Sequence, residues 1–283
     1  MPKADLHIHT HFSDSSLSPK QVVGYAQKAG LSTIGITDHD TIDGIDEAIK
    51  YAELYGIEVV PGVELSVETE GNGSGEIHIL GYFIDWKNLW FNEQLGIFRK
   101  TRQMRAELIV LKLKELNVDI DYAHVLQVAK AEERNGSISR VHIATVLHQT
   151  KAVNSIHEAF EKYLNYGAKA YVPKFRLTPE QAIEIISKTG GIPVLAHPCL
   201  SKCNENLISE LVQLGLKGLE VYHSQQDMKG EGFCQRMAQR YNLFMTGGSD
   251  CHGLFKKSIL IGTVTVNDKV VISMREMSGV RFQ

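Results

Sequence analysis

The sequence predicts an α/β fold, a (β/α) barrel with a helical insertion, and three observations lead there. Short Val- and Ile-rich runs alternate with helical patterns, which is how βα units of a parallel sheet read in sequence. Histidines and carboxylates follow nearly every run, so they must converge, as residues at the C-terminal strand ends of a barrel do. From Trp90 to Tyr166 the strand signal stops and four helical patterns stand in a row. A doubly wound open sheet is the alternative, and the recurrence of ligand residues after the strands disfavours it.

The first strand is expected over Ala4 to Thr10. Ser18-Pro19 supplies an N-cap and a proline at the first helical position, Val22, Val23, Ala26 and Ala29 mark an apolar face, and Gly30 ends the helix. A second strand runs over Thr33 to Thr37, followed by a helix from Asp43 to Tyr55. "IEVVPGVELSV" and "IHILGYFI" are the third and fourth strands, separated by the turn "EGNGSGE". The long helix "FRKTRQMRAELIVLKLKELN" belongs to the insertion, and "IPVLAHP", "GLEVYH" and "LFMTGGSD" complete seven inner strands. The expected division is a barrel of residues 1–88 and 167–283 around an insertion of residues 89–166.

A chain of 283 residues buries a substantial core without special stabilisation. Its net charge of -3 argues against a broad footprint for duplex DNA or an anionic membrane, so any anionic partner must be held locally. The start MPKADLHIHT has no apolar leader and no window spans a membrane, from which a soluble cytoplasmic protein is expected. Cys199, Cys203, Cys234 and Cys251 lack paired C-x-x-C spacing and read as reduced thiols. Cys199 with Cys203 as a metal pair is weaker than their reading as small apolar residues.

"DLHIHTHFSD" places three histidines between two aspartates. On a strand, residues i and i+2 project to one face, so His7 and His9 can share a metal ion. H-x-H alone is weak evidence. The case rests on recurrence: Asp14, His39 in "TDHD", Glu64 in "PGVE", His78 in "IHILGYF", His197 in "LAHP", and Asp250 with His252 in "GSDCH". Polar side chains at every strand end would otherwise spoil an apolar rim. Mixed imidazole and carboxylate donors suit Zn, Mn or Fe better than Mg or Ca, and nine donors imply two or three ions.

The motifs "DLHIHTHFSD", "TDHD", "PGVE", "LAHP" and "GSDCHG" resemble those of the PHP (polymerase and histidinol phosphatase) family, over nearly the whole chain. "SRVHIA", "YVPK" and "GLEVYHSQQ" resemble its stand-alone branch acting on nucleoside 3′,5′-bisphosphates and short RNA 5′ ends. The resemblance implies a distorted seven-stranded barrel with three metals. It implies one ion at His7, His9, Glu64 and Asp250, a second at Glu64, His78 and His197, and a third at Asp14, His39 and His252. Glu64 would bridge, and Glu64 and Asp250 would thereby serve catalysis. His223 is a candidate for substrate contact or leaving-group protonation.

Other polar residues have plainer readings. Asp5 and Asp38 are expected to orient metal-binding histidines, and Asp40 and Asp43 to begin a helix. His11 reads as a surface residue or substrate contact, and His124, His148 and His157 as a solvated face. Arg140 and His142 open a helix behind Ser139, which reads equally as a charged helix end facing water or as an anion site that Lys174 could join, and the resemblance to the stand-alone branch favours the anion site. The expected activity is metal-dependent phosphate ester hydrolysis on nucleoside bisphosphates or short 5′-phosphorylated oligonucleotides, an acidified bridging water attacking phosphorus in line. A histidinol-phosphate phosphatase and a non-catalytic scaffold are the alternatives. Nothing in the sequence fixes the oligomeric state.

Overall fold

The computed structural model describes residues 3–69, 76–129, 138–173, 177–256 and 258–278. Strand β1 (Lys3–Ile8) leads to α1 (Pro19–Lys28), β2 (Thr33–Ile36) and α2 (Ile45–Ala52), then to β3 (Glu58–Glu68) and β4 (Glu76–Tyr82). The helices α3 (Leu89–Glu115), α4 (Tyr122–Ala129), α5 (Arg140–Gln149) and α6 (Ile156–Ala159, continued by a π turn over Phe160–Leu164) follow without a strand. Then come α7 (Pro179–Lys188), β5 (Ile192–Leu195), α8 (Glu205–Gln213), β6 (Gly218–His223), α9 (Met228–Arg240), β7 (Phe244–Gly248), β8 (Val266–Asn267) and α10 (Asp268–Ser278).

Local chemistry sets the helix starts. Ser18 Oγ accepts the Gln21 N–H while Gln21 Oε1 accepts the Ser18 N–H, and Thr178 with Gln181 repeats this capping box at α7. A proline stands in the first turn of both helices. The start expected at Asp43 is not used: α2 begins at Ile45. Asp40 does not begin a helix either; its φ of 51° is left-handed, and its carboxylate pairs with Arg102.

Among the described residues the sheet has eight strands in the order β7-β6-β5-β4-β3-β2-β1-β8, one more than expected. The addition is the two-residue β8, antiparallel to Lys3 and Ala4 of β1. The pairing is mixed rather than wholly parallel, because β4 runs antiparallel to both β3 and β5. Residues 69–75 are too few for the crossover that a parallel pair needs. Closure comes from β7 meeting the C-terminal half of β1: the Asp250 N–H donates to His7 O (2.8 Å) and the His9 N–H to Cys251 O (3.2 Å). The contact requires glycine, since a Cβ on Gly248 would stand 2.4 Å from His7 N.

Two apolar clusters build the barrel, one containing Val22, Ile34, Ile45, Leu65, Ile183 and Leu211, the other Leu6, Val60, Leu80, Tyr82 and Val194. A third gathers Ile109, Leu113, Val125, Ile143 and Leu147 among α3, α4 and α5. Helix α3 belongs to both regions, with Phe91, Leu95 and Phe98 in the barrel cluster and Ala106 onward in the third. At about 1.5 Å per residue it spans about 40 Å, so one rigid rod joins the two packing units. Burial of each Leu or Phe contributes about 1.5–3 kcal/mol, enough to hold both ends of that rod.

Candidate metal centre

Alternation along β1 aims the rings of His7 and His9 the same way, and their Nε2 atoms stand 3.1 Å apart. Glu64, from the middle of β3, meets five histidines. Its Oε1 lies 2.8 Å from His78 Nδ1 and 3.1 Å from His197 Nε2. Its Oε2 lies 3.3 Å from His7 Nε2, 3.2 Å from His9 Nε2 and 3.2 Å from His39 Nδ1. Asp250, beyond β7, puts Oδ1 3.2 Å from His9 Nε2 and 3.4 Å from His252 Nδ1. Asp14 reaches His252 Nε2 at 3.3 Å and His39 Nε2 at 3.8 Å. Two donors, His197 (φ 29°) and Asp250 (φ 51°), occupy left-handed backbone, conformations that cluster at functional sites because the surroundings must enforce them.

Among the described residues three sets of donor atoms lie mutually within 4.8 Å: His7, His9, Glu64 and Asp250; His9, Asp14, His39 and His252; and His39, Glu64 and His78. The first matches the expected grouping. The second adds His9 to the expected trio, and in the third His39 takes the place expected of His197, which still reaches Glu64.

The electrostatics are those of a site short of cations. Burial alone would raise the carboxyls of Asp14, Glu64 and Asp250, but the surrounding imidazoles hold all three well below the usual range. Burial opposes protonation of the rings, yet the carboxylates lift His9 and His78 to about 9, while His39 is pushed down to about 3. Glu64 Oε2 and His39 Nδ1 are buried without a hydrogen bond, as are His197 Nδ1 and His223 Nε2. Buried polar atoms are normally satisfied, and imidazole and carboxylate atoms left unpaired at one meeting point fit divalent metal ions.

Sequence reading missed Glu220. Fully buried on β6, it sets Oε1 2.9 Å from His7 Nδ1 and accepts the His197 N–H on Oε2 at 2.8 Å. This is the carboxylate-histidine arrangement that fixes a ligand's ring and tautomer. The available signal was a lone acid within the apolar run "GLEVYH". Asp5 and Asp38, expected in that role, touch no ligand ring directly: Asp5 accepts the His7 N–H (3.4 Å), and Asp38 reaches His9 Nδ1 only through Ser13 Oγ (3.5 Å). Asp5 accepts the N–H groups of Ser249 and Gly262 (both 2.9 Å), and burial raises its carboxyl to about 6. Asp38 accepts from Thr10 N (2.7 Å), Thr10 Oγ1 (2.6 Å) and Ser13 Oγ (2.5 Å), fixing the loop after β1.

A pocket over the cluster is lined by Asp14, His39 and His78 and, from the helices, by Arg102, Arg105 and Arg140. Ile109, Ile143 and Phe160 give it an apolar side. Arg140 lies 3.7 Å from Glu76 Oε2 and over the Phe160 ring, so it is not a freely solvated side chain. His142 departs from expectation: it is buried, its Nδ1 accepts the Ser139 N–H (3.2 Å), and burial lowers it to about 4. It completes the cap of α5, and Ser139 Oγ takes the Val141 N–H (3.2 Å) that an anion would have used. Lys174 lies outside the described residues. His223 is buried beside the donors, its Nδ1 accepting from Gln225 N (3.1 Å) and its Nε2 3.3 Å from Asp250 Oδ2.

Away from the site, His11 and His124 are half-buried, and His148 and His157 are exposed. The sulfur nearest Cys199 belongs to Cys234 (3.6 Å) rather than Cys203, and all four thiols are free. Among the described residues no helix is long and apolar enough to cross a membrane.

A partly parallel barrel gathering eight such donors, with His197 against Glu64, under an arginine-lined pocket defines a metal-dependent phosphoesterase. The PHP domain model matches residues 5–172, and the chain belongs to the PHP family. It is 34% identical to a 5′-3′ exoribonuclease of Haemophilus influenzae over 88% of this chain and 90% of the relative. It is 31% identical to a 3′,5′-nucleoside bisphosphate phosphatase of Chromobacterium violaceum, over 89% and 88% of the two chains. The crystal structure of a protein described as a metal-dependent phosphoesterase, from Bifidobacterium adolescentis, superposes with a TM-score of 0.90 at 30% identity, covering 99% of this chain and 97% of that one.

Proposed function

We propose that the chain removes phosphate from small, multiply phosphorylated nucleotides: nucleoside 3′,5′-bisphosphates or short 5′-phosphorylated oligonucleotides. The donors assigned to two or three ions of Mn, Fe or Zn are His7, His9, Asp14, His39, Glu64, His78, His197, Asp250 and His252. The supporting observation is the meeting of this cluster with cationic helices: Asp14, His39 and His78 line the same pocket as Arg105 and Arg140. The names of the two curated relatives also favour a nucleotide. When bound, such ions neutralise phosphoryl oxygens and make water a nucleophile near neutral pH.

The protein's own groups supply the rest. Glu220 holds the His7 ring through Nδ1 and leaves Nε2 to face the cluster. His223 Nδ1 accepts a backbone N–H, which leaves Nε2, 3.3 Å from Asp250 Oδ2, as the ring atom that faces the cluster and can contact a leaving oxygen. Arg105 is pulled down to about 10, first by burial and then by Arg140, so the two guanidiniums are relieved by an arriving anion. They receive the second phosphate, and Ile109, Ile143 and Phe160 receive the apolar face of the nucleoside. The segment 89–166 acts as the cap that brings these groups over the barrel, and the free thiols fit a cytoplasmic enzyme.

The test is kcat/KM in the presence of Mn2+ for adenosine 3′,5′-bisphosphate, AMP, a short 5′-phosphorylated RNA, histidinol phosphate and duplex DNA. The bisphosphate or the short RNA is expected to lead. Preference for histidinol phosphate or the duplex, or no advantage from a second phosphate, overturns the substrate assignment.

A further inference from the structure

The three arginines of the pocket are not equivalent. Arg102 is 9% exposed, and its groups are already engaged: Nε–H donates to Asp40 Oδ2 (2.5 Å) and Nη2 donates to Ser66 Oγ (3.2 Å). Asp40 directly follows His39, and Ser66 stands two residues beyond Glu64. These two segments are also stitched to each other. The Glu64 N–H donates to Asp38 O and the Asp40 N–H to Glu64 O, both at 3.1 Å, and the Ser66 N–H reaches Asp40 Oδ1 at 3.4 Å. Asp40 holds a φ of 51°, a conformation an aspartate keeps only when its surroundings over-determine it. Both of its carboxylate oxygens are committed to that task.

The clamp comes from outside the barrel. Arg102 lies on α3 between Phe98, the last barrel-cluster residue of that helix, and Ala106, the first of the insertion cluster. We propose that Arg102 is a positioning residue for the metal centre: from the insertion helix it grips Asp40 and Ser66, and through them fixes the backbone that presents His39 and Glu64 to an ion. The inference rests on the metal reading of that cluster. Its consequence is coupling: an ion that orders the His39 and Glu64 segments strengthens the seat of α3, and seating α3 strengthens the hold on the ion.

The test strips the protein with chelator and titrates it with Mn2+ in competition with a chelating dye. Arg102→Met keeps much of the stem and removes every donor; it is expected to weaken one Mn2+ equivalent 10- to 100-fold, the usual effect of losing a group that orients ligands. Arg102→Lys, with a charge and one donor restored, is expected to recover part of that loss. Asp40→Asn in combination with Arg102→Met is expected to lose no more than the larger single effect, since both act through one contact. Wild-type stoichiometry and affinity in Arg102→Met overturn the proposal. Should that variant not fold, the same titration is read on Arg102→Lys, where unchanged affinity overturns it equally. A wild-type protein that binds no Mn2+ defeats the metal reading itself, and this inference with it.

Discussion

His7 Nδ1 stands 2.9 Å from Glu220 Oε1, and both side chains are fully buried. Burial would raise the carboxyl, but His7 pulls it below its usual value, so the acid is ionised and the imidazole Nδ1 carries a proton. His7 Nε2 is thereby left as the atom facing His9, Glu64 and Asp250. Glu220→Gln keeps the shape and removes the charge. It is expected to lower metal affinity 10- to 100-fold, measured by chelator competition. Wild-type affinity in that variant would show that His7 needs no orienting carboxylate.

Glu64 is the donor shared most widely, with Oε1 toward His78 and His197 and Oε2 toward His7, His9 and His39. Glu64→Gln is expected to lose metal and turnover together, while circular dichroism shows the fold intact. Near-normal metal content with near-normal kcat would remove the bridging role.

The metal-free protein should weaken as pH rises above neutrality. His9 and His78 are each raised from 6.5 to about 9 by the carboxylates beside them, against the opposing effect of burial. A raised folded pKa gives stability that is complete below the unfolded value of 6.5 and is lost as pH climbs through about 9. Metal ions displace those protons, so stabilisation by metal should grow across the same window. Thermal midpoints at about pH 6.5 and pH 9, in chelator and in Mn2+, check this; a metal-free midpoint that rises over that window contradicts it.

Arg140 separates substrate capture from metal binding. Arg140→Ala is expected to leave the Mn2+ stoichiometry as it is and to raise KM for adenosine 3′,5′-bisphosphate, with kcat/KM falling roughly 10- to 100-fold, the worth of a charge-assisted contact. Unchanged kinetics on every phosphate substrate would return Arg140 to its local contacts with Glu76 and Leu164.

Stability should divide along α3. Leu113→Ala, in the insertion cluster, is expected to cost about 2–5 kcal/mol in calorimetry through the cavity it leaves. Its Mn2+ affinity should fall less than that of Glu220→Gln, because Leu113 lies away from the donors. A larger loss of affinity in Leu113→Ala would place the insertion core in control of the centre.

The sequence by itself determined the barrel's repeating units and which polar groups stand at the strand ends. Strand and helix periods are local, and so is the conflict that exposed His7, His9, Glu64 and Asp250, polar groups standing where an apolar rim would otherwise be. Tertiary structure alone decided which groups face one another. The reversal of β4 follows from a short connection whose pairing partner no local pattern names. His39 joins the Glu64 and His78 set because a parallel bridge sets His39 beside Glu64. Glu220 holds His7 across 213 residues of sequence, and Arg102 reaches Asp40 across 62. Asp5 and Asp38 looked like the orienting acids because they stand close to ligands in sequence, but the closed barrel turns Asp5 to the N–H groups of Ser249 and Gly262 and Asp38 to Thr10 and Ser13. A carboxylate that steadies a ring must come from another strand, and the distance that decides it exists only once the barrel has closed.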